Sequence, residues 1–231
     1  MNIIRKLFGG KSNTSVKDEV MLNISSISNI ELPSNYKIAA ETQIPAFCSI
    51  GNLIFEKKYF EAINLGETLL KETPYSVGVH VNLMDAYFKA RKENSTFYDK
   101  SIEHARLAML YGHNTGYAQK KLAIGLEKQR KIYQAIQVCN IILSDDYHFS
   151  RHGCGNIVEF ANRKERLLKK VPNSLDDENS FLFTESEISY MIKQIQEDDE
   201  LIVQEEIEYK RKMEQLRKDS DALWDSLMKG K

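Results

Sequence analysis

Residues 50–63 read IGNLIFEKKYFEAI, and this spacing of apolar and small residues returns twice further along the chain. The later copies are NLMDAYFK at 82–89 with YDKSI at 98–102, and LAIGL at 122–126 with AI at 135–136. Ile50 and Leu83 are 33 residues apart, and Ser101 and Ala135 are 34 apart. A period of this length is typical of solenoids built from stacked pairs of helices.

The pattern resembles the tetratricopeptide repeat (TPR) family over residues 46–145. That family places small residues where the two helices of a repeat cross, and six of the matching places here hold small residues: Gly51, Ala62, Ser101, Ala108, Ala123 and Ala135. Met84 stands at the seventh place and is large for it. Tyr59 and Tyr98 match its aromatic site, and Pro74 closes the first repeat. The resemblance implies an all-α, TPR-like helix-pair solenoid that binds other chains.

The composition is that of an ordinary globular protein. The chain has 231 residues, 42% apolar and 28% charged, with a net charge of −1 that gives no general attraction to nucleic acid. No stretch approaches the ~20 apolar residues of a membrane span. The three cysteines are odd in number, and Cys48 and Cys139 fall on predicted core-facing positions, which favours buried, reduced thiols. We therefore expect a cytoplasmic protein.

Changes in composition divide the chain into five parts. They are a basic flexible tail (1–17), a lead-in segment (18–45), a TPR-like helical domain with a capping helix (46–171), a linker (172–183) and a long charged C-terminal helix (184–231). The tail could contact a membrane surface through Ile3, Ile4, Leu7 and Phe8. A disordered start is favoured instead, because one short segment binds lipid poorly.

Seven short amphipathic helices are expected in the domain. Their predicted ranges are 46–57, 59–72, 77–92, 98–111, 115–129, 131–144 and 156–170. Each is too short to be stable alone, so stacking must supply the stability. The seventh helix would cover the open end of the stack with five apolar side chains: Ile157, Phe160, Ala161, Leu167 and Leu168.

The C-terminal helix begins with a capping-box pattern at Thr184 and Glu187 and then repeats apolar residues at heptad spacing. Residues 185–208 hold nine acids and one base, whereas 209–231 hold four acids and seven bases. The apolar seam must be buried, either by folding back onto the stack or by pairing with a second copy. Asp199 and Glu206 in the seam disfavour a parallel pair, so fold-back and antiparallel pairing stay open as alternatives.

By resemblance to the family, the inner face of the stack is the candidate partner-binding site. Its predicted residues are Asn52, Phe55, Asn82, Asp85, Phe88, Lys89, Tyr117, Lys121 and Lys128. Amides, cations and aromatic rings on one wall can bind an extended peptide. Family members that bind a C-terminal carboxylate use further basic residues, but Cys48 and Tyr117 stand at those places here. A different peptide or protein ligand is therefore favoured over a carboxylate clamp.

Residues 145–154 read DDYHFSRHGC, the one cluster of metal-ligand types in the sequence. His148 and His152 are four residues apart, but Gly153 and Gly155 favour a loop. The other histidines are interpreted as single packing or surface residues. No phosphate-binding loop and no catalytic triad can be placed, so we expect no catalytic residue, metal or cofactor.

The sequence thus favours a non-catalytic adaptor, chaperone or regulatory subunit that binds a peptide or protein segment in a concave groove. The first alternative is a structural protein that self-assembles through its C-terminal helix. A metal-dependent enzyme using the loop of residues 148–154 is the third interpretation.

Overall fold

The computed structural model of the protein describes residues 44–150, 153–171 and 181–229. Within these ranges there are eight helices and no strand. The helices are α1 (Ile44–Phe55), α2 (Tyr59–Glu72), α3 (Val77–Ala90), α4 (Thr96–Leu110), α5 (Tyr117–Lys128), α6 (Ile132–Ile142), α7 (Ile157–Leu168) and α8 (Glu185–Lys229). The all-α prediction is confirmed, and the ends of α1 to α7 lie within two residues of the predicted ends. The tail of residues 1–17 and most of the lead-in and linker segments lie outside the described residues.

Helices that follow one another along the chain pack against each other from α1 to α7, and α1 also packs against α3. The apolar side chains form two clusters of buried residues. Leu83 belongs to the first cluster, with α1 and α2, and Met84 belongs to the second, with α4 to α8. Helix α3 therefore contributes to both clusters and joins the two ends of the stack.

Small residues allow close approach where helices cross. Ala62 and Ala135 are fully buried. A β-carbon at Gly125 would lie only 1.6 Å from Cδ1 of Ile102, so that crossing leaves no room for a side chain. Gly51 differs, because no heavy atom of the described residues lies within 4 Å of where its β-carbon would be. Gly51 is thus not at a close helix contact.

Two turns of the stack have the same backbone geometry although they are far apart in sequence. Lys57 (φ 64°), after α1, and Arg130 (φ 63°), after α5, both adopt the left-handed conformation. The next residue in each case donates its N–H to a carbonyl five residues earlier, at 2.8 Å for Lys58 and 2.9 Å for Lys131. This is the bond of a Schellman helix end. The α1–α2 and α5–α6 pairs are therefore joined in the same way.

Helix α7 covers one side of α6. Phe160 and Leu167 are buried as expected, but Ile157, Ala161 and Leu168 are exposed, so the predicted apolar cap is only partly correct. Ion pairs also join the α7 segment to α5. Glu127 of α5 accepts from three cations of the α7 segment, namely Arg163 at 2.9 Å and Arg166 and Lys170 at 2.8 Å each. Burial opposes ionisation of Glu127, but these cations outweigh it and keep its pKa below the ordinary value.

The capping box at the start of α8 is confirmed. The N–H of Glu187 donates to Oγ1 of Thr184 at 3.2 Å, and the N–H of Thr184 donates to the Glu187 carboxylate at 2.8 Å. The side chain of Gln137, on α6, holds the preceding residues. It donates to the carbonyl of Phe183 at 2.7 Å and accepts from the N–H groups of Leu182 and Phe183.

The first three turns of α8 pack on the domain, chiefly against α4. Ile188, Met191, Ile192 and Ile195 are buried there, and Arg106 of α4 pairs with Glu187 at 3.2 Å. From Val203 to Asp221 every side chain is exposed. Fold-back therefore accounts for only the start of the predicted seam.

The cysteine prediction is correct in one of two cases. Cys139 is buried, and burial raises its pKa to about 11. Cys48 is exposed, because the side of α1 on which it lies is not covered by another described helix. No helix within the described ranges combines the length and apolar character needed to cross a membrane.

The packing predicts that Ala135→Leu destabilises the domain by about 1–3 kcal/mol, because added methyl groups would overpack a fully buried site. Thermal unfolding followed by circular dichroism measures this. The matched control is Ala161→Leu, since Ala161 is exposed on α7. Equal melting temperatures for the two variants would contradict the packing assigned to Ala135.

Candidate partner-binding surface

A hydrogen bond between two predicted site residues joins helices α3 and α5. The hydroxyl of Tyr117 donates to both carboxylate oxygens of Asp85, at 2.7 and 2.9 Å. Burial and this hydrogen bond raise the pKa of Tyr117, so the phenol keeps its proton. The carboxylate of Asp85 is thereby held in one position on the surface.

Phe88 forms the centre of the same surface. The Nζ atom of Lys121 lies 4.3 Å from the centroid of its ring, and the guanidinium carbon of Arg91 lies 3.9 Å from it. Lys121 is also 5.4 Å from the ring centroid of Tyr117. Cations at these distances are attracted to the face of an aromatic ring. The α3–α5 surface is defined here as Asp85, Phe88, Arg91, Tyr117 and Lys121.

Four of the nine predicted residues are thus in contact with one another: Asp85, Phe88, Tyr117 and Lys121. Three more lie on the same two helices, with Asn82 half-buried and Lys89 and Lys128 exposed. Asn52 and Phe55 lie on α1 and are exposed, Phe55 to 88%. Arg91, which directly follows the last residue of α3, is not among the nine predicted residues.

The chemistry of this surface suits a protein segment with carboxylates and an apolar side chain. Phe88 offers apolar area, and the cations that flank it can bind carboxylates. Lys89 and Lys128 add positive charge on the same two helices, whereas the Asp85 carboxylate already accepts the hydroxyl proton of Tyr117. The surface therefore presents more available cations than anions.

A second polar cluster lies inside the stack, where the sequence indicated only single histidines. Nε2 of His80 lies 2.9 Å from the carbonyl oxygen of Pro74, which can only accept a hydrogen bond. His80 therefore carries its proton on Nε2. Its Nδ1 must then accept from Nδ1 of His104, at 2.9 Å. Nε2 of His104 lies 3.5 Å from Oε1 of Glu67.

The chain of polar contacts continues toward solvent. Glu67 accepts from the hydroxyl of Tyr87 at 2.7 Å, and Lys100 donates to that hydroxyl at 3.2 Å. The ring of Tyr87 stacks on His104 with 5.5 Å between centroids. Both histidines are buried between α3 and α4. The sequence contains a signal for this pairing, because His80 and His104 are nearly the same number of residues away from the α3–α4 turn. Met84 and Ser101 have the same relation to the turn, and Oγ of Ser101 donates to the Met84 carbonyl at 2.8 Å.

The described residues of the histidine and cysteine segment, 148–150 and 153–154, form no helix or strand, as predicted. The N–H of Ser150 donates to the carbonyl of Asn114 at 3.0 Å, and that of Cys154 to the carbonyl of Thr115 at 2.7 Å. Nε2 of His148 lies against a carboxylate oxygen of Asp199 of α8. His152 lies outside the described residues. Among the residues that are described, no group of three or more His, Cys, Asp or Glu side chains could hold a metal ion.

Comparison of the chain with protein-family models, with curated proteins and with solved structures gives no significant match.

The buried histidines predict a stability that depends on pH. Burial lowers the pKa of His80 to about 4 from an ordinary value of 6.5, and it also lowers the pKa of His104. Between about pH 6.5 and 4 the unfolded chain binds more protons than the folded chain, so stability falls as the pH is lowered. His80 alone should contribute about 2–3 kcal/mol to this loss, at ~1.4 kcal/mol per pKa unit.

Urea unfolding at a series of pH values measures the effect. His80→Gln keeps an amide donor for the Pro74 carbonyl but cannot titrate, so its stability should fall less steeply over this range. His104 and His113, whose pKa values burial also lowers, remain in the variant and supply a residual slope. Identical slopes for the variant and the original chain would show that His80 does not titrate as described.

Proposed function

We propose that the chain is a non-catalytic protein-binding adaptor, chaperone or regulatory subunit whose helix pairs form a TPR-like solenoid. The α3–α5 surface is its proposed binding site. The observation that carries this proposal is the convergence of Phe88, Lys121, Tyr117 and Asp85, from two helices 32 residues apart in sequence, on one surface. A partner would be a protein segment that places an acidic group near Lys121 and an apolar group on Phe88.

The repeated turn geometry supports a solenoid of helix pairs. Lys57 and Arg130 have nearly equal φ values, and each ends the first helix of a pair with the same hydrogen bond. Repeats that stack in this way leave the first helices side by side, and α3 and α5 contact each other through Tyr117 and Asp85. Surfaces of this kind suit binding of extended segments.

Binding explains the arrangement of side chains better than acid–base chemistry does. The raised pKa of Tyr117 keeps its proton on the phenol, where it holds Asp85. The rings of Phe88 and Tyr117 hold Lys121 in place as a cation. Side chains that are positioned before the partner arrives lose less conformational entropy on binding. The proposed location is the cytoplasm, which keeps cysteines reduced, and all three cysteines are free thiols here.

The test begins with a partner recovered by the full-length chain from native lysate and then purified. Lys121→Glu combined with Phe88→Ala should weaken binding of that partner by about 1–3 kcal/mol, because groups at the centre of an interface carry most of its energy. Isothermal titration calorimetry measures the affinity, and circular dichroism checks that the helices remain.

The matched control is Lys193→Glu, which makes the same charge reversal on the exposed side of α8. Its affinity should equal that of the original chain. Full affinity in the Lys121 and Phe88 variant would exclude the α3–α5 surface as the binding site.

A further inference from the structure

One face of α8 changes from buried to exposed along the length of the helix. At 100° per residue, Met191 and Ile195 lie on the same stripe as five later residues: Ile202, Tyr209, Met213, Leu216 and Trp224. Met191 and Ile195 are fully buried on the domain, whereas Tyr209 is 65%, Leu216 61% and Trp224 63% exposed. The apolar stripe thus continues for more than 20 residues after the domain has ended.

This stripe is long enough to form an interface. From Ile202 to Trp224 the helix extends about 33 Å, at a rise of about 1.5 Å per residue. An exposed apolar stripe of this length usually marks an interaction site, even though Glu206 and Ser220 interrupt it. The helix itself does not need a partner in order to form. Ion pairs four residues apart, Glu208–Lys212 and Glu214–Lys218, each at 2.9 Å, support it.

The charges beside the stripe identify the occupant. Glu205 and Lys212 lie on one flank, two turns apart, and Asp199 and Arg217 lie on the other. We propose that α8 pairs in an antiparallel manner with α8 of a second copy of the chain, about a two-fold axis near residue 208. In an antiparallel pair, each flank of one helix lies against the same flank of the other helix. Glu205 therefore lies against Lys212 of the second copy, and the symmetry repeats this contact.

The same register brings apolar side chains together across the axis. Ile202 packs against Met213 and Leu216 of the second copy, and Tyr209 lies beside the axis. On the second flank Asp199, which also contacts His148, faces Arg217 of the second copy. The contact extends over residues 199–217, about five helical turns, because the domain covers the stripe before Asp199. Trp224 lies outside this contact, and beyond residue 217 the helix of the second copy must turn away from the domain of the first.

A parallel pair fits the charges less well. Opposite flanks meet in that arrangement, so Lys212 would face Arg217 of the second copy. Glu206, at a seam position, would face its own counterpart. A parallel pair would also form Glu205–Lys210 contacts, but these do not remove the two repulsions. Charge complementarity therefore favours the antiparallel pair.

Pairing through α8 does not use the α3–α5 surface and is independent of the adaptor proposal. The helix packs chiefly on α4, so the α3–α5 surface need not be covered when two copies associate. A dimer would present two such surfaces and could bind a partner with repeated segments more tightly than one copy can.

Sedimentation equilibrium of the full-length chain tests the pairing. The expected mass is twice 26.7 kDa at high protein concentration, with a measurable dissociation constant. Glu205→Lys and Lys212→Glu should each raise that constant about 3- to 10-fold, since each places like charges together at two symmetric contacts. Combining the two changes should restore the original constant, because the ion pair is rebuilt with reversed charges.

Arg211→Glu is the matched control, because it makes the same charge change on the face opposite the stripe and should leave the dissociation constant unchanged. Met213→Glu should give a monomer that keeps its helical circular dichroism. A full-length chain that stays monomeric at about 100 µM would overturn the proposal. A lower dissociation constant for Lys212→Glu would also overturn it, because that result is expected only of a parallel pair.

Discussion

Contact between the apolar faces of neighbouring helices is the constraint on which the rest of this structure depends. Helices α1 to α7 contain 11 to 15 residues each, a length at which an isolated helix is marginal in water. They persist because each covers the apolar face of the next one. The crossing of Gly125 and Ile102 shows how close this approach is, since it leaves no space for even one β-carbon.

The same packing decides which polar groups become buried and how they are arranged. His80 and His104 are brought together because the α3–α4 hairpin sets the register of its two helices. Burial lowers the pKa of both rings, and the Pro74 carbonyl, which can only accept a hydrogen bond, keeps the proton of His80 on Nε2. Water would stabilise a charged imidazole at these places, but the interior excludes it. Burial of the two histidines is therefore the common physical origin of the stability at neutral pH and of the sensitivity to acid.

Helix α8 combines two environments in one continuous element. Its first turns are part of the domain core, held by Gln137 and by the ion pair of Arg106 with Glu187. Its later turns carry the same stripe of apolar residues into solvent. The α3–α5 surface and this stripe belong to different elements. Binding of a partner and association of two copies can therefore be tested separately.

Much of the local structure could be predicted from the sequence. The eight helices of the described residues, their ends within two residues and the capping box of Thr184 follow from patterns of neighbouring residues. These features depend on interactions within one or two turns, so a single sequence contains the information. The burial of Ala62 and Ala135 agrees with the small sites that the family resemblance implies. The contacts of Phe88 with Lys121 and of Tyr117 with Asp85 agree with the predicted face. Arg91 could not be placed on that face from the sequence, because its side chain reaches the Phe88 ring only once the turn after α3 has folded.

Other features were decided only by the tertiary structure. Four residues have the types that are usual at packed positions, yet no neighbouring helix covers them closely: Cys48, Gly51, Ile157 and Leu168. The pairing of His80 with His104 and the point at which α8 leaves the domain likewise depend on contacts between distant parts of the chain. Periodicity in the sequence determines which face of a helix is apolar. Whether that face is buried depends on where the stack ends, and this is a property of the whole fold.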